Sequence, residues 1–264
     1  MLDVQNIAKT FNAGTVNEKC ALNNLSLHLN AGEFCTVIGG NGAGKSTLLN
    51  AVAGVWPVDC GNIYIDGKDV THLPEYKRAK FIGRVFQDPM TGTAASMQIE
   101  ENLALAMRRG KKRTLRSGIT KAEREEYYEK LKTLGLGLES RMTAKVGLLS
   151  GGQRQALTLL MASLQQPKLL LLDEHTAALD PATAAKVLEL SDRIVQENQL
   201  TCLMITHNMS DAIRHGNRLI MMNNGRIILD ISGEEKQHLT KSELLEKFAE
   251  VAGVQEETDS VLLS

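Results

Sequence analysis

The strongest constraint on how this chain folds is a glycine-rich stretch between an apolar run and a helical pattern. Residues 39–47 read Gly-Gly-Asn-Gly-Ala-Gly-Lys-Ser-Thr, which matches the pattern of a glycine, four residues and then Gly-Lys-Ser. The apolar run at 33–38 predicts a buried strand, and residues 46–53 predict a helix that ends before Gly54. A strand, a glycine loop and a helix in this order are typical of a P-loop, which binds a polyphosphate.

The residue types of this loop suit a polyphosphate for separate physical reasons. Glycines allow successive backbone N–H groups to turn towards a phosphate, and the helix start adds partial positive charge. Lys45 is expected to reach the β- and γ-phosphates, while Ser46 is expected to bind Mg²⁺. A glycine-rich turn without a ligand is the alternative, but motif and context agree on a P-loop. The predicted nucleotide-binding residues of the loop are Gly39, Gly40, Asn41, Gly42, Ala43, Gly44, Lys45, Ser46 and Thr47.

Composition and charge narrow the class of protein. The chain has 264 residues, enough for one large domain or two small ones, with 43% hydrophobic and 23% charged residues as in ordinary globular proteins. The net charge of −1 gives no indication of a nucleic-acid partner. The four cysteines lie far apart without a Cys-x-x-Cys pair, which argues against a zinc or redox motif. The sequence has neither a signal-peptide pattern nor an apolar run of about 18 residues, the length that a membrane span needs.

Hydrophobic periodicity predicts a mixed α/β fold. Alternating or continuous apolar residues predict strands at 2–8, 22–30, 62–66, 84–87, 168–173, 201–206, 218–222 and 226–230. Two of these runs, 168–173 and 201–206, have continuous apolar residues between their ends, which indicates strands buried on both faces of a sheet. Capping and periodicity signals predict helix starts at 99, 150, 180 and 240, and the helix from 150 is expected to reach about 166. The final residues, 253–264, are predicted to fray.

Two adjacent acids follow the first of these buried strands. Asp173 and Glu174 lie where open parallel sheets place their ligand crevice, at the carboxyl end of a strand. Asp173 is the expected carboxylate for Mg²⁺, and Glu174 is the expected general base or water-orienting group. Paired acids at a strand end can also cap a following helix, which is the alternative interpretation.

The stretch Leu-Ser-Gly-Gly-Gln-Arg-Gln at 149–155 resembles the signature motif of the ABC (ATP-binding cassette) ATPases. Further family motifs appear in the family's order, from an aromatic A-loop residue to a switch histidine. The matching residues are Phe11 of the A-loop, Gln87 of the Q-loop, 170–173 of Walker B, Glu174 as the catalytic glutamate, Asp180 of the D-loop and His207 as the switch histidine. The resemblance covers residues 1 to about 232, and its six ordered motifs make chance agreement negligible.

The resemblance implies a fold and a division of the chain. The implied fold is α/β, with a P-loop NTPase (RecA-like) core, an antiparallel β subdomain and an inserted α-helical subdomain, which together form the ABC ATPase fold. Residues 1–235 would form the ATPase domain, with the helical subdomain inserted at about 89–160. Residues 236–264 would form a short C-terminal helix and a tail.

The resemblance also implies roles for individual residues. The spacing of Phe11 alone favours a core position, but the resemblance implies that it stacks on adenine. His207 is expected to lie beside the γ-phosphate. The implied catalytic residues are Glu174, His207 and Gln87, and the implied Mg²⁺ ligands are Ser46, Gln87 and Asp173. In the family two cassettes pack head to tail, so a second copy of this chain is an expected partner. The residues that would close on the partner's nucleotide are Ser150, Gly151, Gly152, Gln153 and Asp180.

The implied function is ATP binding and hydrolysis by the energising subunit of an ABC transporter, with ATP and Mg²⁺ as cofactors. Because no membrane span is predicted, the transmembrane permease would be a separate chain, and this subunit would be cytoplasmic and peripheral at the inner face of the membrane. Three short stretches are similar to the tryptophan/tyrosine uptake systems of the family, namely 86–89 (Phe-Gln-Asp-Pro), 92–96 (Gly-Thr-Ala-Ala-Ser) and 173–180. This similarity implies import of a solute, which could be an amino acid, and an extracytoplasmic substrate-binding protein. The alternatives are an exporter cassette and a soluble cassette ATPase that takes no part in transport.

Three features have more than one interpretation. His175 departs from the family, where most relatives have proline or a small residue, and we predict that it is a packing residue. The basic stretch 108–116, followed by acidic residues at 123–129, predicts a solvated helical hairpin, with contact to lipid headgroups or an acidic partner as the alternative. Three methionines either line a groove for the permease or belong to the core, namely Met90, Met97 and Met107.

Overall fold

The computed structural model describes residues 1–111 and 118–252, so the predicted tail at 253–264 and residues 112–116 of the basic stretch lie outside the described residues. The strands are β1 Leu2–Phe11, β2 Lys19–Leu29, β3 Phe34–Ile38, β4 Cys60–Ile65, β5 Lys68–Asp69, β6 Ile82–Val85, β7 Leu169–Asp173, β8 Thr201–Ile205, β9 Arg218–Asn223 and β10 Arg226–Ser232. The α-helices are α1 Lys45–Ala53, α2 Glu75–Arg78, α3 Ile99–Met107, α4 Lys121–Lys132, α5 Gly151–Ser163, α6 Pro181–Glu197, α7 Met209–Arg214, α8 Gly233–His238 and α9 Lys241–Ala252. Two short 3₁₀ helices, Leu138–Arg141 and Val146–Leu148, lie between α4 and α5.

The N-terminal strands form an antiparallel sheet in the order β2-β1-β4-β5. Leu2 of β1 pairs with Leu29 of β2 on one side and with Ile65 of β4 on the other. Along β2, Leu27 is buried and His28 is exposed, because successive side chains of a strand point to opposite faces. The predicted half-buried antiparallel strands are therefore confirmed.

The second sheet forms the core and has the order β10-β9-β3-β8-β7-β6. Five strands run parallel to one another, in the order β9, β3, β8, β7 and β6. Strand β10 pairs antiparallel with β9 through the predicted hairpin. Every residue from Leu169 to Leu172 has no exposed surface, because helices cover both faces of a parallel sheet. The predicted strands at 168–173 and 201–206 are confirmed as buried core strands.

The two faces of the core sheet carry different helices. On one face, Leu171 of β7 and Ile205 of β8 pack in the same cluster as Leu48 of α1 and the antiparallel sheet. On the other face, Leu172 and Met204 pack with residues of α3, α4, α5 and α6. Helix α1, which follows the glycine loop, and helix α5, which follows the signature motif, therefore lie on opposite faces of the sheet.

Several elements differ from the sequence predictions. Strand β6 ends at Val85, two residues earlier than predicted, because Val85 is its last residue paired with β7, so Gln87 lies in the following loop. Helix α5 ends at Ser163 rather than near 166, and Gln166 adopts a left-handed conformation with φ 46°. Helix α8 was not predicted, because its six residues, Gly-Glu-Glu-Lys-Gln-His, have no apolar periodicity.

The predicted helix starts are confirmed by their capping hydrogen bonds. The backbone N–H of Gln153 donates to Ser150 Oγ, and the N–H of Ser150 donates to Gln153 Oε1, both at 3.3 Å. The N–H of Thr183 donates to Asp180 Oδ1 at 3.0 Å, and the same kind of bond joins Glu243 to Thr240 at the start of α9. These caps fix where α5, α6 and α9 begin.

Candidate active site

Four neighbouring parallel strands end at one edge of the core sheet, and each is followed by residues that the sequence singled out. The glycine loop 39–47 follows β3, Gln87 follows β6, Asp173 and Glu174 end β7, and His207 follows β8. The carboxyl ends of parallel strands form the ligand crevice of open α/β sheets. The structure therefore gathers most of the predicted site residues at one crevice.

The glycine loop has a backbone that other residues would not fit. At Gly39, with φ 148°, an added Cβ would collide with the carbonyl oxygen of Met222. At Gly44, with φ 102°, an added Cβ would collide with the carbonyl oxygen of Ala21. The loop is therefore held closely between the core sheet and the antiparallel sheet, with backbone free of side chains, as a phosphate cradle requires.

Lys45 is the first residue of α1 and is almost fully buried within the glycine loop. Its ammonium donates to the carbonyl oxygens of Gly39 at 2.6 Å and Gly40 at 3.2 Å. Burial lowers the pKa of Lys45, and the carboxylates of Glu174 and Asp173 oppose this shift. One lysine thus lies beside the backbone of the loop and within electrostatic range of both acids at the end of β7.

An arginine that the sequence motifs did not indicate holds Asp173. The Nη2 of Arg84 donates to Asp173 Oδ2 at 3.2 Å and to Asn50 Oδ1 at 2.8 Å. The guanidinium also lies 4.6 Å from the ring centroid of Phe86. Burial raises the pKa of Asp173, and Arg84 counteracts this shift by favouring the carboxylate. The available signal was a charged residue at the start of a predicted strand, two positions from Phe86.

Glu174 has an unusual backbone and faces a histidine. Its φ of 42° lies in the left-handed region, which non-glycine residues rarely adopt. Its N–H donates to the carbonyl oxygen of Ile205 on the neighbouring strand at 3.0 Å. The Glu174 carboxylate lies 3.8 Å from Nδ1 of His207, whose side chain is 53% exposed. A carboxylate and an accessible imidazole therefore meet at the open end of β7 and β8.

The oxygen donors at this edge suit Mg²⁺. The expected ligands are the Ser46 hydroxyl at the start of α1, the Asp173 carboxylate and the Gln87 side-chain amide, and Ser46 and Gln87 are exposed. Mg²⁺ prefers oxygen ligands and is usually held by one or two carboxylates together with substrate phosphates. Among the described residues no cluster of three or more histidines, cysteines or acids has the arrangement of a metal site.

Phe11 lies at the end of β1, opposite Lys19 of β2. Its ring packs edge-to-face on Trp56, with 4.9 Å between centroids, and Lys9 Nζ lies 5.7 Å from the Phe11 centroid. The side chain of Lys19 reaches the glycine loop, since an added Cβ at Gly42 would lie 3.0 Å from its Nζ. The A-loop residue is thus joined to the glycine loop through β2. The motif comparison did not indicate Trp56 or Lys19.

The signature residues do not join this crevice. Ser150, Gly151, Gly152 and Gln153 form the start of α5, on the other face of the core sheet from α1. An added Cβ at Gly152 would collide with the methyl group of Thr183, so the starts of α5 and α6 are in close contact. Asp180, at the start of α6, is exposed beside them. A cavity of about 540 Å³ lies at this contact and is lined by Ser150, Gly152, Gln153 and Thr183 among others.

The fold and the crevice together define a P-loop ATPase with a separate signature helix. The ABC transporter family model matches residues 22–177, so the chain belongs to the ABC transporter family. The chain is 46% identical over 249 residues to a tyrosine transport ATP-binding protein of Clostridioides difficile, which covers 94% of this chain and 98% of that relative. The predicted family and the ABC ATPase fold are confirmed.

More distant relatives and solved structures agree with this assignment. The chain is 36% identical to the methionine import ATP-binding protein MetN of Bartonella henselae over 86% of its length, although it spans only 64% of that relative. A dimeric structure of the ATP-binding cassette MJ0796 in a post-hydrolysis state, bound to ADP and Pi, has a TM-score of 0.74 and 30% identity. The match covers 88% of this chain and 98% of that cassette.

The chain is therefore the ATP-binding subunit of an ABC transporter and an ATPase. Within residues 1–111 and 118–252, no helix combines the length and the apolar character that crossing a membrane requires.

Proposed function

We propose that this ATPase drives the import of an amino acid through a separate permease. The convergence of the glycine loop with residues at the ends of β6, β7 and β8 is the observation that supports ATP hydrolysis at this crevice. Support for amino-acid import comes from the relatives, which are named for tyrosine transport and methionine import. An aromatic amino acid such as tyrosine is the substrate we expect for the assembled transporter.

The residues of the crevice have distinct proposed roles. The backbone N–H groups of loop 39–47 and the ammonium of Lys45 bind the phosphates, and Phe11 stacks on the adenine. Glu174 accepts a proton from the attacking water, or orients that water, while His207 contacts the γ-phosphate. Gln87 lies at the start of the loop that leads towards α3. A movement of this loop would therefore change the position of the Gln87 side chain in the crevice.

Mg²⁺ would be held by Ser46, Asp173 and Gln87, and it would neutralise phosphate charge as the terminal phosphate is transferred. Arg84 orients the Asp173 carboxylate and favours its ionised form against the effect of burial, which raises the pKa. The chain's own contribution is thus to supply three oxygen donors near the strand ends, of which Asp173 is partly buried while Ser46 and Gln87 are exposed.

A second copy of the chain is needed to complete this proposed site. The signature residues lie on the opposite face of the sheet from α1, so they do not contact a nucleotide bound in the same copy. These residues are Ser150, Gly151, Gly152 and Gln153. The free N–H groups and the positive end of α5 are suited to a phosphate brought by a partner. A head-to-tail dimer, with Asp180 beside the contact, would satisfy this arrangement, and the cassette MJ0796 has been solved as a dimer.

The permease is proposed to bind in a cavity of about 1130 Å³ bounded by α3, α4, α5 and the residues before β6. Tyr76 and Leu105 line this cavity and are 74% and 49% exposed. Met107 also lines it, whereas Met90 is exposed and Met97 is half-buried outside the lining. Exposed apolar residues beside a cavity favour a protein partner. A substrate-binding protein would then act through the permease, and this subunit would lie at the cytoplasmic face.

The division of the chain also remains a proposal. We propose that residues 1–235 form the ATPase domain, with the helical subdomain at about 89–160, and that the segment from 236 forms a C-terminal helix. Arg108 and Glu123 form an ion pair at 2.8 Å, which supports the solvated interpretation of the basic stretch. The relatives named for tyrosine transport and methionine import favour this proposal over an exporter or a cassette ATPase outside transport.

The catalytic proposal is tested with Glu174→Gln, which keeps the shape of the side chain and removes its basicity. Turnover should fall about 10²- to 10⁴-fold, and ATP should trap a dimer on a size-exclusion column. The matched control is Glu197→Gln, an exposed residue at the end of α6, which should hydrolyse ATP normally. Near-normal turnover by the Glu174 variant, with no dimer, would remove this residue from catalysis.

The dimer proposal is tested by comparing Lys45→Ala with Ser150→Arg. The first should lose ATP affinity in the monomer, because Lys45 lies in the glycine loop of the same copy. The second should bind ATP normally as a monomer and fail to dimerise, because Ser150 is exposed on the other face of the sheet. Equal loss of monomer binding in both variants would contradict a site shared between copies.

The partner and the direction of transport require the assembled complex. Leu105→Glu should leave the ATPase activity of the isolated subunit unchanged and weaken co-purification with the permease, while Tyr128→Glu on α4, outside the cavity, should do neither. Uptake of labelled tyrosine in cells that contain the whole transporter should fall with the Leu105 variant. Loss of efflux instead of uptake would support an exporter, and normal co-purification would mean that the permease binds elsewhere.

A further inference from the structure

His175, which departs from the family pattern, is buried directly after the proposed catalytic base. Only 2% of its surface is exposed, as predicted for a packing residue. Its Nε2 lies 2.9 Å from Ser191 Oγ, on helix α6, sixteen positions along the chain. This is a specific polar contact between the end of β7 and the middle of α6, and it has no role in the site described so far.

The hydrogen bonds around Ser191 determine which ring nitrogen carries the proton. The Ser191 hydroxyl donates its single proton to the carbonyl oxygen of Val187 at 2.8 Å. It can therefore only accept from His175, so the Nε2 of His175 carries hydrogen and donates. Burial lowers the pKa of His175 to about 4, which agrees with a neutral ring. The ring is fixed in one tautomer and one orientation.

The residue before His175 needs such an anchor. Glu174 has a left-handed φ of 42°, and conformations of this kind persist only where surrounding contacts determine them. Its N–H donates to Ile205 at 3.0 Å, and its carbonyl oxygen accepts from the N–H of Ala177 at 2.9 Å. These bonds hold the peptide groups on either side of the residue, and the buried ring of His175 holds the next position in the chain.

The anchor point belongs to a helix that also contacts the signature motif. Helix α6 begins at the Asp180 cap, and Thr183 in its first turn touches Gly152 of α5. Ser191 lies further along the same helix and is fully buried. The bond between His175 and Ser191 therefore connects the end of β7 to the helix that supports the start of α5.

We propose that His175 is a positioning residue, whose hydrogen bond to Ser191 holds Glu174 in the backbone conformation that directs its carboxylate towards Lys45 and His207. The proposal rests on the proposed role of Glu174 as the catalytic base. His175 does not contact the substrate; it acts through the backbone of its neighbour and through α6. Loss of this bond lets Glu174 relax towards an ordinary backbone conformation, and its carboxylate then leaves the crevice.

The experiment compares His175→Ala, His175→Gln and Ser191→Ala in the full chain, with kcat, the KM for ATP and the melting temperature measured for each. A misplaced catalytic group can cost about 10²-fold in rate, so His175→Ala should lower kcat about 10- to 100-fold while KM stays within about twofold. The glutamine amide nitrogen can take the place of Nε2, so His175→Gln should recover most of kcat. Ser191→Ala should lower kcat in the same direction, and the His175→Ala/Ser191→Ala double variant should be no slower than His175→Ala alone.

His215 supplies a matched control for general destabilisation of α6. It is also buried, and its Nδ1 lies 2.6 Å from the carboxylate of Asp192, the residue after Ser191. His215→Gln should lower the melting temperature without changing kcat, because it anchors the same helix but not Glu174. If His175→Ala behaves like His215→Gln, losing stability but not kcat, His175 is only a packing residue and the proposal is wrong.

The outcome for Glu174 separates this proposal from the one on which it rests. If Glu174→Gln abolishes turnover and His175→Ala does not reduce kcat, the positioning role alone fails. If Glu174→Gln leaves turnover unchanged, the base assignment fails and the positioning role fails with it. A fall in kcat for His175→Ala that glutamine does not restore would also contradict the proposed hydrogen bond.

Discussion

Replacing Arg78 with methionine should destabilise the protein by removing an anchor of the P-loop helix. Arg78 is 2% exposed, and among the described residues its guanidinium donates to four backbone carbonyl oxygens. It contacts the end of α1 through Ala51 at 2.8 Å and Val52 at 2.9 Å. It also contacts Leu73 at 2.8 Å and Thr71 at 2.9 Å. A cation at the C-terminal end of a helix complements the helix dipole, so Arg78 acts as a buried cap for α1.

The magnitude follows from the number and kind of these bonds. A hydrogen bond to a charged group contributes about 1.5–3 kcal/mol, but four such bonds do not add fully. The guanidinium is also desolvated, and burial lowers the pKa of Arg78 to about 10. Arg78→Met leaves buried carbonyl oxygens without their donor, which costs about 1–3 kcal/mol for each unsatisfied group. Because these costs do not add fully, we expect a total loss of about 3–5 kcal/mol. At about 2–4 °C per kcal/mol for a domain of this size, the melting temperature should fall by about 10 °C.

The assay is thermal unfolding followed by circular dichroism, together with ATP affinity. Lys77→Met is the matched control, because Lys77 is the exposed neighbour of Arg78 on α2 and should change stability by less than about 0.5 kcal/mol. Arg78→Lys should be intermediate, since an ammonium keeps the charge but cannot donate to all four carbonyl groups. ATP affinity should change less than stability, because Arg78 lies at the opposite end of α1 from the glycine loop, about 13 Å away. An Arg78→Met protein within about 1 kcal/mol of the natural chain would refute this reasoning.

Two further predictions concern the crevice itself. In Arg84→Met, the pKa of Asp173 should rise further because its neighbouring cation is lost. The carboxylate would then be protonated at higher pH, so the acid limb of the pH profile of kcat/KM should move to higher pH. An unchanged limb would contradict the role of Arg84. Gly44→Ala should abolish detectable ATP binding because of its collision with the Ala21 carbonyl, whereas Gly67→Ala, which has open space and φ 74°, should bind ATP normally in the same affinity measurement.

Much of the fold could be predicted because the decisive signals are local. The continuous apolar run at 168–173 indicates burial on both faces without knowledge of which helices provide it. The capping boxes at Ser150 and Thr240 and the cap at Asp180 involve residues three positions apart, so the sequence contains both partners. The glycine loop is likewise contiguous, and its position at the carboxyl end of a strand follows from the order of elements.

The contacts that were not predicted join distant parts of the chain. Arg84 and Asp173 are separated by 89 positions, and their pairing depends on β6 lying next to β7 in the sheet. Arg78 meets Ala51 across 27 positions, and neither residue belongs to a motif. The strand at β6 was predicted two residues late, because its limits are set by the residues that pair with β7 on a distant part of the chain. Long-range polar contacts of this kind depend on topology, which hydrophobic periodicity does not specify.

The topology also explains why the two glycine-rich motifs cannot serve the same nucleotide within one copy. Two helices on opposite faces of a sheet are separated by the sheet and by two layers of side chains, about 20 Å in all. Helix α1 lies on one face of the sheet and α5 lies on the other. The N-terminal ends of these helices can therefore approach each other only at the carboxyl edge of the strands. That edge is where Glu174 lies, and α6 is the element that reaches from there to Gly152. A chain of direct contacts therefore runs from Gly152 of α5 to Thr183 of α6, and from Ser191 of the same helix to His175, the residue after the proposed base.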